Sequence, residues 1–200
     1  MEFREALRRR RMVRRHTGEP VPPGTAERVA AAALRAPSAG FAQGVSVILV
    51  SDRERIAAIA AACGEPANIG RGRQPWLSTA GAILAICVEP GRYRDRYAEP
   101  GKDPAALEPI PWWWVDAGAS LMGVLLAAVD EGLAAGFLGG HATGGARPLL
   151  GLPEEALLVG LVTLGPGADH PPSSSLRRGR RRGAIHVDRW SETGDAEPAR

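Results

Sequence analysis

Residues 115–140 read VDAGASLMGVLLAAVDEGLAAGFLGG. Over 115–133, Ala117, Ala119, Leu121, Met122, Val124, Leu125, Ala127, Ala128 and Val129 put small and apolar side chains around almost the whole circumference of a helix. Such a helix is buried on nearly all sides. One domain of 200 residues has few ways to cover it, so burial against a second copy of the chain is expected. A strand over 134–138 follows at once, closed by Gly139-Gly140.

Around that stretch the pattern is of strands alternating with helices. Val45–Val50 is a β-branched apolar run ending at Ser51-Asp52, a natural cap for a helix over Arg53–Ala62 that stops at Gly64. Ala82–Val88 is apolar throughout, as in a strand covered on both faces, and Glu89-Pro90-Gly91 ends it. A further strand is expected over 157–164, and helices over 3–12 and 24–35. Residues 97–111 are rich in Pro, Gly and charge and predict an exposed excursion. Asp52 with Glu54, and the pair Glu154-Glu155, read as helix-start charges. The expected architecture is α+β in three layers: a mixed, mainly antiparallel sheet flanked by helices. A single domain over 1–190 and a disordered tail over 191–200 are expected.

Composition narrows the function. The hydrophobic share of 44% supports a real core, and no run reaches the roughly 18 apolar residues of a membrane span. The basic N-terminus lacks the apolar run of a secretory signal. Cys63 and Cys87 have neither Cys-x-x-Cys nor metal-ligand spacing and read as buried free thiols in a reducing compartment, the cytoplasm. Net charge is only +3, and Lys102 is the sole lysine. Arginine clusters therefore carry less information than usual, and a nucleic-acid partner is not expected. The histidines lack companions at metal-ligand spacing, so no metal is assigned.

Four clusters can carry chemistry. Arg8 to Arg11 with Arg14 and Arg15 supply guanidinium forks suited to a phosphomonoester, or equally a solvated basic face or an RNA-binding arm. Ala36-Pro37-Ser38-Ala39-Gly40-Phe41-Ala42-Gln43 lets backbone approach a flat ligand, with Ser38 and Gln43 as hydrogen-bonding groups; an ordinary helix-stop loop looks similar. The segment 132–140 offers backbone N–H groups at Gly139 and Gly140 but lacks the Gly-x-Gly-x-x-Gly spacing of a dinucleotide fold. Arg177 to Arg182, five arginines in six positions, read as a disordered basic tail. Trp112-Trp113-Trp114 cannot all face the core. Trp112 and Trp113 are candidates to line a substrate mouth, and His141 stands either beside the ligand or at the surface.

In this order, the clusters resemble the nitroreductase family of FMN-dependent enzymes. The matches run from Arg10, Arg11 and Arg14 through Pro37, Ser38 and Gln43, the helix from Asp116, and Gly132-Leu133 to Gly139-Gly140. They continue with Leu150-Gly151-Leu152-Pro153, Leu164-Gly165, Arg178 and Arg180. The resemblance implies an intertwined homodimer with two FMN sites, each drawing on both chains. Arg10, Arg11, Arg178 and Arg180 would hold the phosphate and ribityl end. Arg14 would lie near the pyrimidine edge, where a cation stabilises the charge that reduction creates. Pro37, Ser38 and Ala39 would line the ring from one subunit, with Gly139 and Gly140 facing it.

Two positions depart from the family pattern: Met12 stands where serine is usual and Phe41 where asparagine is usual. Each loss costs about 1–2 kcal/mol, roughly tenfold in affinity, unless replaced; Phe41 could stack on the ring instead. The implied reaction is ping-pong. NADH or NADPH, or a deazaflavin, reduces FMN, and a quinone, nitroaromatic or enone takes the electrons. A natural-product dehydrogenase, a flavin-consuming enzyme and a flavin-sequestering protein would carry nearly the same motifs.

Overall fold

The computed structural model describes residues 1–168 and 185–190. Arg178, Arg180, the rest of the 177–182 cluster, His170 and the tail over 191–200 lie outside the described residues. Residues Met1–Ala168 form one compact unit. Residues 185–190 are described by themselves; within them His186 stacks on Trp190 at 4.3 Å.

Four strands, β1 (Val45–Val50), β2 (Ala82–Val88), β3 (Ala134–Gly139) and β4 (Leu157–Gly165), form a sheet in the order β1-β2-β4-β3. The expected mixed sheet is antiparallel at every pairing among the described residues. The central strand β2 is buried along its whole length, and its alternation feeds two cores. Ala82, Leu84 and Ile86 meet α2 (Thr25–Ala33) and α6 (Trp112–Asp130) through Val29, Val124, Leu125 and Ala128. Ile83, Ala85 and Cys87 face α3 (Arg53–Ala62) and α7 (Ala146–Leu150) through Ile56, Ile59 and Leu150. Period-2 patterning thus places helices on both faces, giving the three expected layers.

Boundaries differ where the first or last turn is decided by packing. The basic helix α1 (Phe3–Arg9) ends three residues before its expected limit, because the chain leaves it extended and Val13 N–H donates to the Ala135 carbonyl at 2.8 Å. Asp52 caps α3 as expected, accepting from Arg55 N–H. Glu154-Glu155 begin no helix; they lie in the turn before β4. Three helices were not expected: α4 (Glu65–Gly70), α5 (Pro90–Tyr97) and α7 (Ala146–Leu150); the prolines of α4 and α5 sit in the first turn, where a missing N–H costs nothing. Cys87 is buried and Cys63 half-buried, both free, and burial pushes the Cys87 thiol up to about 11.

By length and composition alone α6 could cross a membrane, and 33% of its most apolar window is buried. Ala117, Ser120, Val124, Leu125 and Ala128 face inward, while Trp114, Val115 and Met122 stay exposed. Within one chain the all-round burial expected of this helix is therefore met over only about a third of it, and its outer apolar face is exposed.

The segment after α1 is tied down by His16, buried with its Nε2 2.9 Å from Thr163 Oγ1. Burial holds this imidazole below its ordinary value of 6.5. The unfolded chain binds the proton more readily, so the contribution of His16 is complete above that value and is lost as pH falls through the depressed one. Between about pH 7.5 and about pH 5.5 the urea midpoint of the wild type should fall more than that of His16→Gln; parallel profiles would contradict this.

Candidate active site

The residues singled out by sequence fall into two groups on different elements. The first gathers along β3. Arg8 is taken by Glu5, whereas Arg10 and Arg11, just past the helix end, have no acceptor among the described residues. Met12 is 39% exposed. The Arg14 guanidinium lies 5.5 Å from the centroid of the Trp76 ring. The contact is possible because residue 136 is glycine: a Cβ there would stand 2.3 Å from the Val13 carbonyl and 3.1 Å from the Trp76 ring.

Trp76 is in turn fixed by a buried carboxylate. Glu65 accepts from the N–H groups of Trp76 and Leu77, both at 2.7 Å, and from Ser78 at 3.1 Å. Three backbone donors satisfy one charge, the condition for burying it. At the far end of β3, Gly139 leads into a 3₁₀ turn over Gly140–Ala142. A Cβ at Gly140 would meet the Leu158 carbonyl at 2.5 Å. His141 is exposed, its ring lying over Gly139.

The second group is the 37–43 loop. Asp116, buried in the first turns of α6, accepts through one oxygen from Ala39 N–H at 2.9 Å and from the Tyr93 hydroxyl at 2.7 Å. Burial pushes the Tyr93 phenol up, and the Asp116 carboxylate adds to that. Arg96 holds the Gly40 carbonyl at 2.7 Å, and Ser38 Oγ accepts from Gln43 N–H at 2.7 Å. So clamped, the loop carries Phe41 and Gln43 at φ of 60° and 51°. Left-handed conformations of non-glycine residues cost of order 1–3 kcal/mol and collect at ligand sites. Phe41 is 73% exposed, so this aromatic ring is held out in solvent and packs on no core. Pro37 is exposed as well.

The tryptophans divide as their adjacency requires. Trp112 donates to the Ala106 carbonyl at 3.2 Å. Trp113 meets Tyr93 edge-on at 6.0 Å, and Trp114 is exposed. The excursion over 98–111 includes a 3₁₀ turn at Pro104–Leu107 and roofs Trp113.

Strand register relates the two groups. Val45 pairs with Val88, Val88 with Leu157, and Gly139 with Gly160. The 37–43 loop, which leads into β1, and the Gly139-Gly140 corner therefore share one end of the sheet at opposite edges. Three strand spacings separate the edges, roughly 14 Å.

The nitroreductase-family model matches residues 7–166. The chain belongs to the nitroreductase family. An NADH dehydrogenase of Thermus thermophilus is 29% identical over 194 residues, covering 88% of this chain and 92% of that one. The FMN reductase [NAD(P)H] of Bacillus subtilis is 30% identical over 135 residues, covering 68% of this chain but 47% of the relative. The chain thus spans about half of that protein. Among solved structures, the NADPH:FMN oxidoreductase of Vibrio harveyi complexed with NAD+ superposes with a TM-score of 0.65 at 22% identity, covering 95% of this chain and 78% of the other.

Sequence reasoning missed Glu65, Trp76, Tyr93, Arg96 and Asp116, the residues that hold the site rather than face it. Only Asp116 left a signal, as a charge inside an otherwise apolar helix. Asp116→Ala strands one buried and one part-buried donor and should cost about 3 kcal/mol in urea unfolding, whereas Tyr93→Phe, which leaves the Ala39 bond in place, should cost about 1 kcal/mol. Equal costs would contradict the shared-acceptor arrangement.

Proposed function

We propose that this protein is an FMN-dependent oxidoreductase. It would take electrons from NADH or NADPH and pass them, in alternating half-reactions, to a small electrophilic acceptor of the quinone, nitroaromatic or enone type. The observation that carries this reading is the set of unspent donors along β3. The forks of Arg10 and Arg11 lack acceptors among the described residues, and a third guanidinium, Arg14, is stacked on Trp76. That donor set fits a phosphorylated, electron-accepting ring: two forks for the phosphate and one fixed cation for the ring edge, with Gly139 and Gly140 at the far end of the same strand. Bound FMN would supply the two-electron chemistry.

The chain's own residues would do the rest. Arg10 and Arg11 bind the phosphate by charge-assisted hydrogen bonds, with Arg178 and Arg180 as further candidates. Arg14 keeps a positive charge at the pyrimidine edge with little reorganisation, because its guanidinium already lies over the Trp76 ring. Phe41, Ser38 and Gln43 present one aromatic face and two polar groups. The names of the Bacillus subtilis and Vibrio harveyi relatives, an FMN reductase and an NADPH-flavin oxidoreductase, support the cofactor and the donor.

A homodimer is part of this proposal. Two site groups at opposite sheet edges and an open apolar face on α6 are both accommodated if a second copy covers α6 and brings its loop to the first copy's β3. Trp112, Trp113 and His141 remain the candidates for contact with the acceptor or the nicotinamide.

The test is a visible absorbance spectrum with added FMN, followed by anaerobic NADH or NADPH. Bound flavin bands that bleach with a nicotinamide are expected; no binding at saturating FMN would sink the proposal. Arg10→Ala should weaken FMN binding by about tenfold to a hundredfold, from the loss of one or two charge-assisted bonds. Met12→Ser should tighten it by about tenfold, restoring a hydroxyl where the chain has a thioether.

A further inference from the structure

The helix α5 carries three arginines at alternate positions, and two of them are engaged. Arg92 pairs with Glu89 at 3.1 Å and donates to the Gln43 carbonyl. Arg96 holds Gly40 and pairs with Glu99. Arg94 pairs with no carboxylate among the described residues; its guanidinium carbon lies 5.6 Å from the centroid of the Trp113 ring. Beside it opens a recess of about 380 Å³ lined by Arg94, Pro104, Leu107, Glu108 and Trp113. Its apolar walls are the indole, a leucine and a proline, and Trp113 Nε1 is buried without a hydrogen-bond partner among the described residues.

We propose that this recess binds a planar aromatic monoanion. The volume lies within the roughly 300–1,000 Å³ range of small-ligand pockets, enough for one or two fused rings. A flat ring is what an indole wall faced by Leu107 and Pro104 accommodates. A carboxylate on that ring meets the one unspent fork of α5, where two parallel N–H bonds are available. Glu108, on the same recess, repels any anion, so binding of the monoanion rests on the Arg94 fork outweighing it, and a dianion is disfavoured further.

The recess is linked to the 37–43 loop through side chains: Trp113 packs on Tyr93, Tyr93 bonds Asp116, and Asp116 holds the loop. Its use as the acceptor subsite, which would make aromatic acids the favoured oxidants, rests on the oxidoreductase reading; the binding does not.

The test is calorimetric titration of benzoate and of neutral benzamide into the full chain and into Arg94→Gln. Benzoate should bind the wild type about tenfold tighter than benzamide, and Arg94→Gln should remove that preference while leaving benzamide unchanged. Equal affinities in the wild type, no detectable binding of benzoate, or a preference that survives Arg94→Gln would each overturn the proposal. The acceptor role has its own readout. Turnover of 4-nitrobenzoate should exceed that of 4-nitrobenzamide in kcat/KM by about the same factor, through KM, and lose the advantage in Arg94→Gln. Calorimetric preference without kinetic preference keeps the anion site and overturns its role toward the acceptor, and a chain that binds benzoate but no FMN overturns the oxidoreductase reading alone.

Discussion

A carboxylate buried near the start of an apolar helix is the interaction on which the site depends. Asp116 sits at 6% exposure, and its charge is tolerable because Ala39 N–H and the Tyr93 hydroxyl both donate to it. Those two donors come from the loop before β1 and from α5. One atom therefore joins three segments far apart in sequence, and the loop's strained residues, Phe41 and Gln43, are held in place by it and by Arg96. Glu65 plays the equivalent part at the other sheet edge, where three backbone N–H groups converge on one carboxylate and Trp76 becomes the platform for Arg14. In each half of the site a buried acid organises backbone, and the exposed groups are consequences of that order.

The same arrangement limits what one chain can do alone. The antiparallel order β1-β2-β4-β3 assigns the loop and the β3 groups to opposite edges, and a packed sheet lies between them. Nothing in the α2 and α6 layer covers the outer face of α6, with its exposed Trp114, Val115 and Met122. An apolar surface of that kind on a small domain marks an association site. The proposed dimer resolves both constraints with one act of assembly.

The fold was largely legible from sequence because its signals are local. Val45–Val50 and Ala82–Val88 appear as strands with the expected bounds, since unbroken apolar runs ended by Ser-Asp and Glu-Pro-Gly leave little choice. The family followed from the order of motifs, not from any one of them. What stayed hidden was long-range. Glu65 and Trp76 are connected by backbone bonds that no periodicity encodes, and α5 was obscured by its charge, three arginines and an aspartate that suit an exposed helix as well as a loop. Glu154-Glu155 misled because acidic pairs favour helix starts and turns alike. Phe41 was singled out for its residue type, whereas its projection into solvent from a left-handed backbone is visible only in the structure.

The proposal of a site shared between two copies is tested most directly by complementation. A chain carrying Arg10→Ala with Arg11→Ala and a chain carrying Ala39→Glu are refolded separately and as an equal mixture, and bound FMN is measured. The account predicts little flavin on either variant alone and, in the mixture, FMN on about a quarter of the sites, because half the dimers are mixed and each mixed dimer keeps one intact site. A mixture that binds no more FMN than its components, with both variants folded, would place the whole site within one chain and contradict the account.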